Sequence, residues 1–245
     1  MTDNREDSKG AKDGGDQVAR VRIVRIGINL GNALLAGRDA TGALQGIAVD
    51  LARELGRRHV VAIDLVPFPS AGQMADAAKA DAWDVALLAA DPARAHDISF
   101  TAPYLEIEAT YLVPPGSGIR ALEDVDRPGV RIAVADKSAY DLALRRSITR
   151  AEIVRAAGVG ESVELFFAEQ LDALAGLRPL LVNVAASHAG CRVLDGRFTA
   201  VLQAIGTPKG REVTELEAFV QHAKTSGLVS RLIDRHQVAG VTAAI

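Results

Sequence analysis

Several residue types are scarce in this chain of 245 residues, and each scarcity excludes a class of function. Cys191 is the only cysteine, so an intrachain disulfide, a paired-cysteine zinc site and a dithiol redox motif are excluded. Aromatic residues make up only 4% of the chain, too few for a stacking platform for bases or sugars. The five histidines include no pair three or four residues apart, so we predict no metal site, and no cofactor is implied.

The distribution of charge argues against two kinds of partner. The 28 lysines and arginines are outnumbered by 31 acidic residues and are scattered along the chain, so we expect no nucleic-acid partner. No apolar run approaches the ~18 residues that a bilayer requires, so we expect no membrane insertion.

The first residues are strongly polar. Met1 to Gln17 contain eight charged residues and no apolar stretch, which predicts a disordered tail over residues 1–19 and no signal peptide. As the chain reads, the protein is expected to be cytoplasmic. It is expected to be periplasmic if an export signal precedes Met1.

The apolar pattern then alternates between the periods of strands and helices. Strands are predicted at 21–28, 60–66 and 85–89, with an amphipathic helix in GIAVDLARELGRR that stops at Gly56 and another helix at 71–80. The same order restarts with a strand at 130–135 and a helix that Ser138 begins. This alternation predicts an α/β fold, and the run TYLVPPGSG between the two blocks predicts a passage between two lobes.

The most informative segment is DVALLAADPARAHDISFTAPYLEIEATYLVP, residues 84–114. A strand is followed by a turn bearing Arg94 and then by F-T-A-P-Y, which resembles the bacterial extracellular solute-binding proteins of family 3, the polar amino-acid group. The segment GIAVDLARELG is similar to the family's G-F-x-V-D-L-A. The segment LEDVDRPGVRIAVADKSAYD is similar to its L-x-D-L-x-G-K-x-V-G-V-x-x-G-S/T.

The resemblance implies a fold and a function. The fold is the two-lobed, type II periplasmic-binding-protein-like (Venus-flytrap) fold with two hinge crossovers. Lobe one would comprise residues 20–105 and 201–245, and lobe two residues 106–200. A small carboxylate-bearing ligand, either an amino acid or an organic acid, would bind in the cleft as the hinge closes. The implied partner is the permease of an ABC transporter, and we expect a monomer.

Seven residues are expected at the ligand site, and four of them are polar side chains that the family pattern or the start of a helix places there. Arg94 would bind the carboxylate, because a guanidinium on a turn after a buried strand can offer two parallel N–H donors. Ser138 and the backbone N–H groups behind it would complete the anion site, or Ser138 would only cap its helix. Asn29 and Asn32 follow the first strand, where the family places polar contacts, or they form turns.

Two departures from the family pattern affect the ligand's charge. The turn before Arg94 is two residues shorter than usual, and Ala89, Ala90 and Asp91 replace its hydroxyls, so Ala89 and Asp91 are expected in a rebuilt pocket. In place of the family's ammonium-binding aspartate the chain reads LDALAGLRPLL, which puts Gly176, Leu177 and Arg178 near that position. Either Asp91 now binds the cation, or the ligand has no α-amino group and Arg178 helps to neutralise it.

Two other functions stay open. A few proteins of this fold dehydrate prephenate-like acids with a carboxylic acid as proton donor, for which the candidates here are Glu106, Glu108, Asp136 and Glu169. Because no nucleophile, metal-ligand or phosphate-loop pattern is present, we expect no enzyme. A protein that is not exported would instead be an intracellular ligand sensor or carrier.

Overall fold

The computed structural model describes residues 23–245. The predicted tail and the first two residues of the first predicted strand lie outside this range. The first half of the described chain forms β1 (Ile23–Asn29), β2 (Gly37–Arg38), β3 (Leu44–Gln45), α1 (Ile47–His59), β4 (Ala62–Phe68), α2 (Ala71–Asp76), β5 (Val85–Ala89), β6 (Ile98–Phe100) and β7 (Leu105–Val113).

The second half continues the alternation of strands and helices and ends in two helices and a short strand. Its elements are β8 (Arg131–Ala135), α3 (Ala139–Ser147), β9 (Glu152–Ala156), α4 (Val159–Ala168), β10 (Ala173–Leu177), α5 (Arg178–Ser187), β11 (Arg192–Val193), β12 (Thr199–Pro208), α6 (Thr214–Thr225), α7 (Leu228–His236) and β13 (Val241–Ala243). Within residues 23–245, no helix is long and apolar enough to cross a membrane.

The main sheet joins two parallel groups of strands through two antiparallel ones. Its order is β4-β1-β5-β12-β7-β10-β8-β9. In one group β1 lies parallel to β4 and β5, and in the other β8 lies parallel to β9 and β10. The α/β prediction is therefore confirmed, and each parallel group with its helices forms one lobe.

The strands β7 and β12 form the two crossovers between the lobes. Their first halves pair with each other, with Thr199 opposite Ala109 and Gln203 opposite Leu105. Beyond this shared segment, β7 pairs with β10 and β11 of lobe two, whereas β12 pairs with β5 and β6 of lobe one. The crossover thus begins at Leu105, ahead of the predicted passage TYLVPPGSG, and the lobe boundaries 105/106 and 200/201 stay predictions.

The predicted end of the first helix at Gly56 is wrong, because this glycine serves the packing of the helix against a strand. Helix α1 continues through Gly56 to His59. A Cβ on Gly56 would lie 2.6 Å from Cγ2 of Ile63, so this glycine permits close contact between α1 and β4. The helix stops instead at Val60, whose φ of 53° is left-handed.

Two of the strands that lead to the cleft, β5 and β10, are buried along their whole length. Such burial is expected for central strands covered by helices on both faces. Beside β5, the Trp83 indole is fully buried and donates a hydrogen bond of 2.9 Å to the Met74 carbonyl. Rigid strands therefore support the loops at their carboxyl ends.

Candidate functional site

One cavity lies where the carboxyl ends of both parallel groups face each other. Asn29, Ala89, Ala135 and Leu177, the last residues of β1, β5, β8 and β10, all line it. Its empty volume is about 580 Å³, including a part open to solvent. In open α/β sheets, ligands bind at this end of the strands, next to the points where the strand order reverses.

Three helices begin at the wall of this cavity. Ser138, Gly158 and Leu177, which line it, are the N-cap residues of α3, α4 and α5. Neither Gly158 nor Leu177 supplies a side-chain cap. The first N–H groups of a helix have no partner within it and carry partial positive charge, so this wall favours an anion.

Arg94 places a full positive charge at the same cavity. The residue is only 5% exposed, and burial lowers the pKa of its guanidinium to about 10, so it remains charged at neutral pH. One N–H donates to the Ala89 carbonyl at 2.7 Å and another to the Lys137 carbonyl at 2.8 Å. Of five donors three remain free, and no carboxylate within residues 23–245 forms a direct ion pair with Arg94. The negative charges of Asp91 and Asp76 act on it from farther away and raise its pKa, but burial outweighs them. A buried cation without an anion in contact is unfavourable, and a ligand carboxylate would reduce that penalty.

The other predicted polar contacts also reach the cavity. Ser138 Oγ accepts a 3.0 Å hydrogen bond from the Asp141 N–H, so this serine caps α3 as well as lining the cavity. Burial raises the pKa of Tyr140 to about 12, a rise that its hydrogen bond with Ser138 limits. Asn29 and Asn32 accept hydrogen bonds from the N–H groups of residues 31 and 34 at 3.0 and 3.3 Å, which makes both of them turn formers. The structure therefore brings Asn29, Asn32, Ala89, Arg94 and Ser138 together.

Asp91 and Arg178 do not line the cavity, unlike the other predicted residues. The Asp91 carboxylate accepts hydrogen bonds of 3.0 and 2.8 Å from Arg146 of lobe two, so its charge is already neutralised. Arg178 donates to Glu108 in the middle of β7 at 2.8 Å and to the carbonyls of Leu194 and Gly196, so its side chain turns away from the cavity. The sequence places both residues near the cleft, but neither side chain points into the cavity.

Most of the other residues that line the cavity were not predicted as ligand contacts, and two of them, Gln203 and Leu177, bear on the chemistry of the ligand. Gln203 of β12 is 6% exposed and lines the cavity, and its amide has no hydrogen-bond partner among the described residues. Leu177, at the end of β10, presents an apolar side chain. The signal for Gln203 was present in the sequence, because it is a lone amide in the apolar run AVLQAIG.

Of the four candidate acids, only Asp136 lines the cavity. Its carboxylate pairs with Arg145 at 2.7 Å and with Arg155 at 3.8 Å. The other three each pair with an arginine elsewhere, namely Glu106 with Arg197, Glu108 with Arg178 and Glu169 with Arg131. Residues 23–245 contain no group of three histidine, cysteine or acidic side chains placed to hold a metal ion.

Solved structures share this architecture. A receptor for L-cysteine from Neisseria gonorrhoeae superposes with a TM-score of 0.77 at 19% identity, covering 89% of this chain and 92% of that one. A putative ABC-transporter binding component from Wolinella succinogenes, complexed with lysine, has a TM-score of 0.74 at 22% identity over 87% and 94% of the two chains. An ancestral amino-acid-binding protein, described as a precursor of cyclohexadienyl dehydratase, has a TM-score of 0.73 at 20% identity over 87% and 94%.

The family is shown by the sequence itself. No curated protein sequence matches the chain. The family model of the bacterial extracellular solute-binding proteins, family 3, matches residues 24–238, which include every strand and helix that faces the cavity. The neighbours establish the type II periplasmic-binding-protein fold, which was expected from the resemblance. The chain is therefore a member of the bacterial extracellular solute-binding proteins, family 3.

Proposed function

We propose that this protein captures a small carboxylate-bearing molecule, an amino acid or an organic acid, in the cavity between its lobes. The observation that carries the proposal is Arg94, a buried and charged guanidinium with free donors and no carboxylate partner among the described residues. The first turns of α3, α4 and α5 add partial positive charge on the opposite wall. An anion placed between them gains charge-assisted hydrogen bonds from both lobes.

Binding would be coupled to closure of the hinge. Three contacts already cross the cleft in this structure, and each joins a residue of lobe one to a residue of lobe two. They are Arg94 to the Lys137 carbonyl at 2.8 Å, Lys137 Nζ to Asp76 at 2.6 Å, and Arg146 to Asp91 at 2.8 Å. Because Arg94 also faces the cavity, ligand and closure would stabilise each other through one side chain.

The structural neighbours support an amino acid as the ligand and an ABC transporter as the partner. Their descriptions name L-cysteine and lysine as ligands, and one names an ABC transporter. For this chain we propose the same role, with a permease as partner. An intracellular sensor or carrier is the alternative, and fractionation of the source cells distinguishes them, since only the transport role requires the protein outside the cytoplasm.

A dehydratase is a second candidate, because one neighbour is described as a precursor of such an enzyme and Asp136 lines the cavity here. Its carboxylate is held in ion pairs with Arg145 and Arg155, so it is not free to contact a substrate, and none of the other three candidate acids lines the cavity. We therefore prefer the binding function. Incubation with prephenate, followed by measurement of the dehydrated product, tests the enzyme directly.

A thermal-shift screen tests the proposed function. The panel comprises amino acids, keto acids, dicarboxylates and small amines. A ligand that binds only the native state stabilises it by about 2.7 kcal/mol at 100 times its Kd. We expect carboxylates, and not amines, to raise the Tm of the wild type, and Arg94→Lys to reduce that rise. If carboxylates raise the Tm of both proteins equally, Arg94 is not the anion site and the proposal is wrong.

A further inference from the structure

The charged side chains of the cavity narrow the class of ligand. We propose that the ligand is a small monocarboxylate that has an apolar tail and carries neither an α-ammonium group nor a second carboxylate. This inference rests on the proposed function, in which Arg94 binds one carboxylate.

Among residues 23–245, Arg94 is the only cationic side chain that lines the cavity. Lys137 and Arg145 line a separate recess on the other side of Arg94, which we call the outer recess. Lys137 already pairs there with Asp76 at 2.6 Å. Arg178, the remaining basic candidate, pairs with Glu108 outside the cavity. Once the first carboxylate lies between Arg94 and the helix N-termini, a second carboxylate would lose its hydration without meeting another cationic side chain, which disfavours dicarboxylates.

An ammonium group would meet no free negative charge either. In the part of the chain that the structure describes, Asp136 is the only acidic side chain in the cavity wall, and it belongs to a cluster with Arg145, Arg155 and Asp141. Asp141 is fully buried and pairs with the same two arginines at 2.7 and 2.9 Å. Two carboxylates and two guanidinium groups balance, so this wall carries no net charge for an ammonium to neutralise.

Leu177 occupies the region in which the family pattern places the ammonium-binding aspartate. It is 4% exposed, and its side chain joins those of Leu180, Val159 and Val201 in the cavity wall. An ammonium placed against this wall would lose its hydration and gain no hydrogen bond. An aliphatic tail would instead bury apolar surface, which contributes about 0.8 kcal/mol for each CH₂ group.

Gln203 supplies a neutral polar contact on the same side. Its buried amide has no partner within the described chain and lines the cavity from the crossover strand β12. An amide donor and acceptor can bind a keto or hydroxyl oxygen without any charge. The ligand class is therefore short aliphatic acids, with or without a 2-oxo or 2-hydroxy group.

A series of compounds with one carbon skeleton tests the inference by calorimetry on the full chain. It comprises 4-methylpentanoate, 4-methyl-2-oxopentanoate, leucine and 4-methylpentanamide, with 2-oxoglutarate as the dicarboxylate. We expect the first two to bind at least tenfold more tightly than leucine, the amide or 2-oxoglutarate. Leucine or 2-oxoglutarate binding as tightly as the monocarboxylates would overturn the inference, and so would a failure of both monocarboxylates to bind.

A substitution at Leu177 tests whether a negative charge on the apolar wall makes the cavity accept an ammonium group. Leu177→Asp places a carboxylate on the apolar wall, and we expect it to reduce the preference for 4-methyl-2-oxopentanoate over leucine at least tenfold. Leu177→Asn, of similar shape but uncharged, should weaken both ligands without favouring leucine. An equal change of preference in both variants would count against the role of charge. If Leu177→Asp does not fold, as judged by its thermal transition, the wild-type series decides.

The outcome for Arg94→Lys separates this inference from the proposed function. If leucine binds best and Arg94→Lys weakens it more than tenfold, the carboxylate site stands and only the ligand class is wrong. If leucine binding is lost in Asp136→Asn or Glu161→Gln, that acid is the ammonium partner. Glu161 is included because its carboxylate lies against Gly158 at the start of α4. If no compound depends on Arg94, the proposed function itself fails.

Discussion

Arg94 lies in a position that is unfavourable for folding and favourable for binding. Removing an arginine from water has a penalty of several kcal/mol, which hydrogen bonds to the Ala89 and Lys137 carbonyls offset in part. Those two carbonyls also orient the guanidinium, so little rotamer entropy remains to be lost when an anion binds. A ligand carboxylate therefore gains affinity from a charge that the fold leaves without an anionic partner among the described residues.

Arg94→Lys is expected to keep the fold and to weaken the ligand more than tenfold, equivalent to about 1.4 kcal/mol. An ammonium group is a point charge and cannot donate two parallel hydrogen bonds to a carboxylate while it retains both carbonyl partners. Calorimetry on the two proteins measures the difference. Arg57→Lys, on the exposed side of α1, is the matched control and should bind as the wild type does. Unchanged affinity in Arg94→Lys would remove this residue from the site.

Tyr104, in the F-T-A-P-Y motif, leads to a second prediction. Its hydroxyl is buried and has no hydrogen-bond partner within the described chain, and burial raises its pKa. An unsatisfied buried polar group is unfavourable, so Tyr104→Phe is expected to raise the free energy of unfolding by about 1 kcal/mol. Urea denaturation measures it. A loss of stability of similar size would show that the hydroxyl does have a partner.

The turn between β8 and α3 connects the ligand site to lobe closure. Lys137 lies in this turn with a φ of 53°, where the family pattern has glycine. A non-glycine residue in this conformation is strained by roughly 1–2 kcal/mol. Lys137 makes two contacts with lobe one that offset this strain. Its carbonyl accepts a hydrogen bond from Arg94, and its Nζ donates one to Asp76. The same turn ends at Ser138, so one short segment serves both the anion site and the contact between lobes.

Gly72→Ala is expected to hinder closure without harming the fold. Gly72 is the second residue of α2, and its φ is not positive, so its backbone can accommodate alanine. A Cβ at this position would, however, lie 2.7 Å from Cβ of Lys137 in the other lobe. Overpacking of this kind costs about 1–3 kcal/mol, and here it acts only on the closed form. We expect ligand affinity to fall about tenfold while thermal stability without ligand is unchanged. Gly37→Ala, where a Cβ would meet nothing within 4 Å, is the control.

The ion pair between Asp91 and Arg146 is a second contact that joins the two lobes, and its strength should fall as the salt concentration rises. Asp91→Asn retains an oxygen for the Ala93 N–H but loses the charge that Arg146 binds. Because Arg146 is half exposed, the pair contributes at most about 1 kcal/mol, and we expect affinity to fall about twofold to fivefold. Arg146→Gln should have the same effect, and the double variant no more than either. Additive effects would show that the two side chains act separately, and Glu54→Gln on α1 is the control within one lobe.

The whole molecule is arranged so that rotation between the lobes can be absorbed at two strands. Within the main sheet, the lobes are connected by the segment in which β7 and β12 pair with each other. This segment contains five residue pairs, from Thr199–Ala109 to Gln203–Leu105. Gln203 lies at one end of this segment and lines the cavity, so a ligand would contact the hinge itself. Hinges of this kind concentrate backbone rotation in a few residues and leave the lobes unchanged.

Ligand binding is therefore expected to make the protein more compact. Small-angle scattering at saturating ligand should give a smaller radius of gyration than without ligand, because the lobes close over the cavity. Gly72→Ala should show a smaller change at the same ligand saturation. An identical radius with and without ligand would indicate a rigid cleft and favour the enzymatic alternative.

Local sequence patterns were sufficient for the fold class. Strand and helix periods repeat often enough to predict alternating parallel strands and helices. The candidate site residues came from other signals, because Arg94, Asn29 and Asn32 were predicted from the resemblance to the family and Ser138 from its place just before a helix. They line one cavity because each lies at or shortly after the end of a strand, and the ends of parallel strands meet at one edge of a sheet. The exact end of α1 was not predictable, because Gly56 serves the packing against Ile63 and not the end of the helix.

The balance of charge in the cavity depended on contacts between distant parts of the chain. Asp91 is neutralised by Arg146, 55 residues away, and Arg178 is drawn to Glu108, 70 residues away. Gln203 reaches the cavity because β12 pairs with β5 and β7. A charged side chain that the sequence places near the cleft has several possible partners of similar interaction energy. Only the packed arrangement of both lobes determines which partner it binds and whether it points into the cavity.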